Sequence, residues 1–96
     1  MKKMYVLVRK DLTKIQQAIQ AGHALAEYLL NYKTSWTNGT LIYLQVKNED
    51  ILKYWGDKLD LIGVAWKSFR EPDMNYELTA IAAVAEDKVF KKLQLL

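Results

Sequence analysis

The 96-residue sequence has no cysteine, one proline, four glycines and a single histidine. Without cysteine there is no disulfide, no thiolate nucleophile and no cysteine-ligated zinc. One histidine among scattered carboxylates is a poor basis for a metal site, so neither metal nor cofactor is expected. The glycines are isolated, which excludes a glycine-rich phosphate loop. Ser35 and Ser68 sit in no nucleophile motif. No stretch approaches the ~20 apolar residues of a membrane span. The apolar run at residues 5–8 is too short for an export signal and ends in Arg9-Lys10-Asp11. A soluble, cytoplasmic protein is expected.

What is present is ordinary globular chemistry. Apolar residues make up 51% of the sequence and charged residues 26%, a balance that can build a core rather than stay disordered. The length suits a single domain over residues 1–96. A net charge of +3 permits an anionic partner without demanding one.

Residues 5–8 form a continuous apolar run, as in a strand covered on both faces. Asp11 stands where a helix N-cap is expected. Residues 12–32 have helical periodicity. Leu12, Ile15, Ile19, Gly22, Ala26 and Leu29 recur at steps of three and four, widened by Ala18, Leu25 and Leu30, and this stripe is the expected buried face. Asn38-Gly39 marks a turn. Residues 40–46 read as a second strand. Asn48 caps a second helix, with Glu49 and Asp50 in its first turn and Ile51, Leu52, Trp55 and Leu59 inward. Residues 62–68 read as a third strand, residues 70–73 as a loop around Pro72, residues 78–84 as a fourth strand and residues 87–93 as a short terminal helix. The order β-α-β-α-β-β-α predicts a layered α/β sandwich: a mixed four-stranded sheet with helices on both faces.

Two segments stand out chemically. Gln16, Gln20, His23 and Glu27 are spaced four, three and four and make one polar line along the first helix. This line is either a solvated stripe with a structural histidine or the wall of a cleft beyond the strand C-termini. The segment Phe69-Arg70-Glu71-Pro72-Asp73 concentrates charge. If the first and third strands run parallel, Arg9, Lys10, Lys14 and Arg70 gather around Gln20 and Glu71, a seat for a phosphate backbone.

The same segments carry a family likeness. Val8-Arg9-Lys10-Asp11-Leu12, Gln20-Ala21-Gly22-His23-Ala24 and Leu78-Thr79-Ala80-Ile81-Ala82, in this order, resemble the first strand, helix motif and last strand of the type 2 peptidyl-tRNA hydrolases. The resemblance implies metal-free hydrolysis of the ester between a peptide and the 3′ ribose of tRNA. It implies Asp11 or Glu71 as the water-orienting group, Gln20 and Thr79 as polarising groups, and His23 as a base or a helix support. Arg9, Lys10, Lys14 and Arg70 would be the phosphate contacts. The pattern departs from the family at Gln16, where a lysine is usual, and at Pro72-Asp73, where a Gly-Arg-Thr segment is usual. Loss of the lysine makes a catalytically inactive tRNA- or protein-binding module the competing reading. A third reading is a homodimer that uses Trp36 or Trp66.

Overall fold

The structure, a computed structural model, describes residues 2–96. Its strands are β1 (Lys3–Arg9), β2 (Leu41–Val46), β3 (Trp66–Glu71), β4 (Glu77–Ala85) and β5 (Gln94–Leu95), and its helices are α1 (Lys14–Asn31) and α2 (Glu49–Leu61). Single 3₁₀ turns occupy Pro72–Met74 and Asp87–Val89. The chain is thus an α/β fold with a mixed sheet covered by one helix on each face.

The sheet order is β3-β4-β1-β2-β5. The two most apolar runs, β1 and β4, take inner positions, where both faces are buried. β1 pairs parallel with β2 and antiparallel with β4, and β3 pairs antiparallel with β4. β3 therefore runs parallel to β1, with β4 between them. On one face Tyr5, Leu7, Leu52, Trp55, Leu59, Ile81 and Phe90 pack beneath α2. On the other, Met4, Val6, Val8, Ala80 and Ala82 pack beneath Ala21, Ala24 and Tyr28 of α1.

Several expectations are corrected. The sheet has five strands, not four. The expected terminal helix is a 3₁₀ turn followed by β5, which pairs with the outer edge of β2, and the Leu96 amide donates to the Tyr43 carbonyl at 3.0 Å. That pairing satisfies edge backbone groups that a helix would have left open. β3 begins at Trp66 because α2 runs on to Leu61 and closes at Gly63. With φ of +75°, Gly63 takes the left-handed turn that ends a helix. Arg70 and Glu71 consequently end a strand rather than lie in a loop. Asn48 caps α2 by accepting from the Ile51 amide. The cap of α1 is Thr13, which accepts from the Gln16 amide at 3.2 Å. Asp11 is held by Arg9 instead.

The largest correction concerns the face of α1. Its buried residues are Gln20, Ala21, Ala24 and Tyr28. The stripe expected to be buried points outward: Ile15 is 74% exposed, Ile19 43%, Leu29 44% and Leu30 81%. Small residues win the inner face because α1 lies over the alanines of β4, where larger side chains would overpack the contact. Trp36 and Trp66 are half-buried and used within the fold. The Trp36 indole donates to the Thr40 carbonyl, and Trp66 donates to Asp60 and packs against Gly56, where a Cβ would come within 2.9 Å of its ring.

Candidate functional site

The C-terminal ends of β1, β2 and β3, the start of β4 and the N-terminal end of α1 share one edge of the sheet. Gln20 and Thr79, both fully buried, form the centre of a polar chain there. The Thr79 hydroxyl donates to Gln20 Oε1 at 2.7 Å. Gln20 Nε2 donates to Glu71 Oε1 at 3.1 Å and to Gln16 Oε1 at 3.1 Å. Buried polar groups require such partners, and among the described residues no buried side-chain nitrogen or oxygen lacks one. Gln16 and Glu71 are half-buried, so the chain leads from the interior to the rim. The first helical turns place Gln16 and Gln20 on one side, and β3 brings Glu71 to them across the α1–β3 contact. Exposed His23, next along the same line, stacks on Phe69 with ring centroids 4.2 Å apart and an interplanar angle of 9°. Glu27, further along α1, hydrogen-bonds Asn31 and does not reach the chain.

Arg9 anchors a second cluster. Its guanidinium donates to both carboxylate oxygens of Asp11 at 2.9 and 3.0 Å, to Glu77 at 2.7 Å and to the Leu78 carbonyl at 3.2 Å. The Arg9 side chain is 9% exposed, and Asp11 and Glu77 about two-fifths. The hydrogen bonds from Arg9 hold the Asp11 carboxyl below its usual range, against the opposing effect of burial, which keeps it ionised and weakly basic. Conversely, the hydrogen bond to Asp11 is the largest effect raising the affinity of Arg9 for its proton. Arg9 is thus engaged inside the protein, and a phosphate would have to displace two carboxylates to reach it.

The remaining candidates divide. Lys10 and Lys14 are exposed. Arg70 is exposed and donates to the Tyr76 carbonyl at 3.2 Å. Lys10 lines a shallow groove of about 210 Å³ with Lys47, Lys92, Gln45 and Ile51. Sequence reasoning missed Lys47 and Lys92. Lys47 directly follows β2 and could have been found by the strand-end rule that found Lys10. Lys92 lay in the segment read as a helix. A larger cavity of about 780 Å³, lined in part by Lys33, Lys58, Val64 and Val84, lies at the opposite end of the sheet, and none of the expected site residues lines it. Among the described residues no three histidine, aspartate or glutamate side chains converge as a metal-ligand set, and no helix is long and apolar enough to cross a membrane.

Chemically, the polar chain offers one oriented carboxylate at the rim. Gln20 and Thr79 spend their hydrogens on acceptors within the protein, which suits them to positioning rather than to contact with a bound molecule. No family model matches the chain, and no curated protein matches it. Among solved structures it is similar to a protein of unknown function from Agrobacterium tumefaciens strain C58, with 11% identity and a TM-score of 0.76 over 99% of this chain and 97% of that one. The likeness establishes a shared fold.

Proposed function

We propose that the chain is a peptidyl-tRNA hydrolase-like protein acting on the ester between a peptide and the 3′ end of tRNA. The observation that carries this reading is the buried chain from Thr79 through Gln20 to Glu71. It holds a single rim carboxylate in one orientation, as a reactive group requires. Gln20 occupies one oxygen of Glu71, and the other orients water toward the ester carbonyl. As water attacks, its proton passes to Glu71, and Glu71 returns that proton to the ribose 3′ oxygen as the carbon–oxygen bond to the peptide breaks. Gln16 accepts from Gln20 through Oε1, so its Nε2 is the donor left for the developing oxyanion. Lys10, Lys14, Lys47 and Lys92 supply phosphate contacts in place of Arg9. Likeness to the type 2 hydrolases, carried by the segments around Asp11, Gln20 and Thr79, supports the same reading.

A second reading, a tRNA-binding module without hydrolysis, is favoured by Gln16. A neutral amide stabilises an oxyanion less than the lysine the resemblance leads one to expect. Release of peptide from N-blocked aminoacyl-tRNA separates the two. Glu71→Gln should lower turnover by on the order of 10²-fold with tRNA affinity retained. Gln16→Lys should raise the rate. Affinity should fall with salt, and removal of Lys10, Lys47 and Lys92 should flatten that slope. If parent and Gln16→Lys both bind tRNA and neither releases peptide, the binding-module reading replaces the enzyme.

A further inference from the structure

We propose that the outward face of α1 is a homodimer contact, with two copies of the helix packed antiparallel across a two-fold axis at Gly22. The observation is an apolar helix face turned to solvent. Ile15, Ala18, Ile19, Gly22, Ala26, Leu29 and Leu30 are all exposed, and at about 100° per residue they form one continuous stripe. Contiguous exposed apolar surface of this kind marks an interaction site.

The occupant is identified by the symmetry of the stripe. A two-fold contact joins the same patch on both copies, so the patch must be complementary to itself. Residues equally spaced about Gly22 match: Ala18 and Ala26 lie four before and four after, Ile15 and Leu29 seven and seven. Antiparallel pairing therefore sets alanine against alanine beside the axis and large aliphatic against large aliphatic outside it.

Gly22 adds an independent argument. Glycine inside a helix weakens it. Nothing in the chain requires one here, because a Cβ at Gly22 would meet no atom within 4 Å. With Ala18 and Ala26 one turn to either side, it lets a second helix approach closely.

The area sets the strength. A helix of 18 residues is about 27 Å long, and a face about 10 Å wide gives a footprint on the order of 300 Å² per copy. Stable complexes bury roughly 800 Å² per partner, so this dimer is weak and concentration-dependent, in the micromolar range or above.

The lack of native cysteine allows a direct test of register. Under oxidation Gly22→Cys should cross-link to itself. Ala18→Cys and Ala26→Cys should cross-link to each other when mixed, far more than either does alone. Leu61→Cys, 86% exposed and off the stripe, is the control. Sedimentation from about 10 µM to 1 mM should show monomer converting to dimer. Ile15→Glu and Leu29→Glu should abolish that conversion while leaving circular dichroism and the dilute-solution melting temperature unchanged. A native chain that stays monomeric at 1 mM overturns the proposal, as does a dimer that survives both glutamate variants. Cross-linking at position 61 as fast as at 22, or self-linking of Ala18→Cys as fast as the mixture, overturns the pairing.

Discussion

Replacing Thr79 with valine removes one oxygen from the buried chain while nearly conserving volume. Gln20 Oε1 then keeps no partner at a position with no solvent access. The cost has two parts: the lost hydrogen bond, worth about 1 kcal/mol net, and the penalty of a buried acceptor left open, roughly 1–3 kcal/mol. A total of about 2–4 kcal/mol should lower the melting temperature of a chain this size by roughly 8–30 °C. Gln20→Leu takes away the amide itself. Thr79 then keeps the Phe69 carbonyl at 3.2 Å, and half-buried Glu71 and Gln16 turn to water. The double variant should therefore be less destabilised than the sum of the single variants, by about 1 kcal/mol or more. Urea unfolding of the four proteins at pH 7, followed by circular dichroism, measures the cycle. If Thr79→Val is within roughly 0.3 kcal/mol of the parent and the cycle is additive, the amide of Gln20 is not held as described. The proposed positioning of Glu71 would then fall with it.

Ile19→Asp, on the exposed face of α1, should shift stability by about 0.5 kcal/mol or less in dilute solution, whereas Ala24→Asp, on the buried face, should cost several kcal/mol; thermal unfolding of the pair decides which face is inside. Arg9→Met leaves Asp11 and Glu77 without their cation, and because both carboxylates are two-fifths exposed the loss should be about 2 kcal/mol at pH 7, below the 3–5 of a fully buried pair. Asp11 has a folded-state pKa below its unfolded value near 4. Its contribution is therefore present above pH ~4 and lost as pH falls through the lower folded value. The parent should lose stability over that acid range, and Arg9→Met should show a flatter profile in acid urea titrations.

Features decided by neighbours in sequence were legible. The apolar run of β1 marked a strand covered on both faces, that of β4 marked a strand, and Asn48 with Glu49 and Asp50 marked the start of α2. The spacing of Gln16 and Gln20 placed them on one line of α1, where they hydrogen-bond. Features decided by distant partners were not. Asp11 is a plausible cap until Arg9, itself fixed by Glu77 at the far end of the sequence, draws its carboxylate away. β5 is two residues long, and only the open edge of β2 gives it a partner. Gln20 and Glu71 were expected at one sheet edge from parallel β1 and β3, but the hydrogen bond between them, spanning 51 positions, depends on Glu71 ending β3 rather than lying in a loop.

The reversed face of α1 has the same origin and links the two functional proposals. Its two stripes follow the same rhythm of three and four: Gln16, Gln20, His23 and Glu27 on one, Ile15, Ile19, Gly22, Ala26 and Leu30 on the other. Each polar position is one residue from an apolar one, so a rotation of about 100° would exchange them. Hydrophobicity alone favours the apolar stripe inward. The observed rotation places Ala21 and Ala24 over Ala80 and Ala82 and gives Gln20 its three partners, Gln16, Glu71 and Thr79, at the cost of exposing four large aliphatic side chains. A second copy across Gly22 would remove that cost without moving Gln20, so dimerisation would stabilise the rotation that positions Glu71. Activity per chain should then rise with protein concentration over the range in which the dimer forms. A per-chain rate that stays constant while sedimentation shows association would separate the dimer contact from the site.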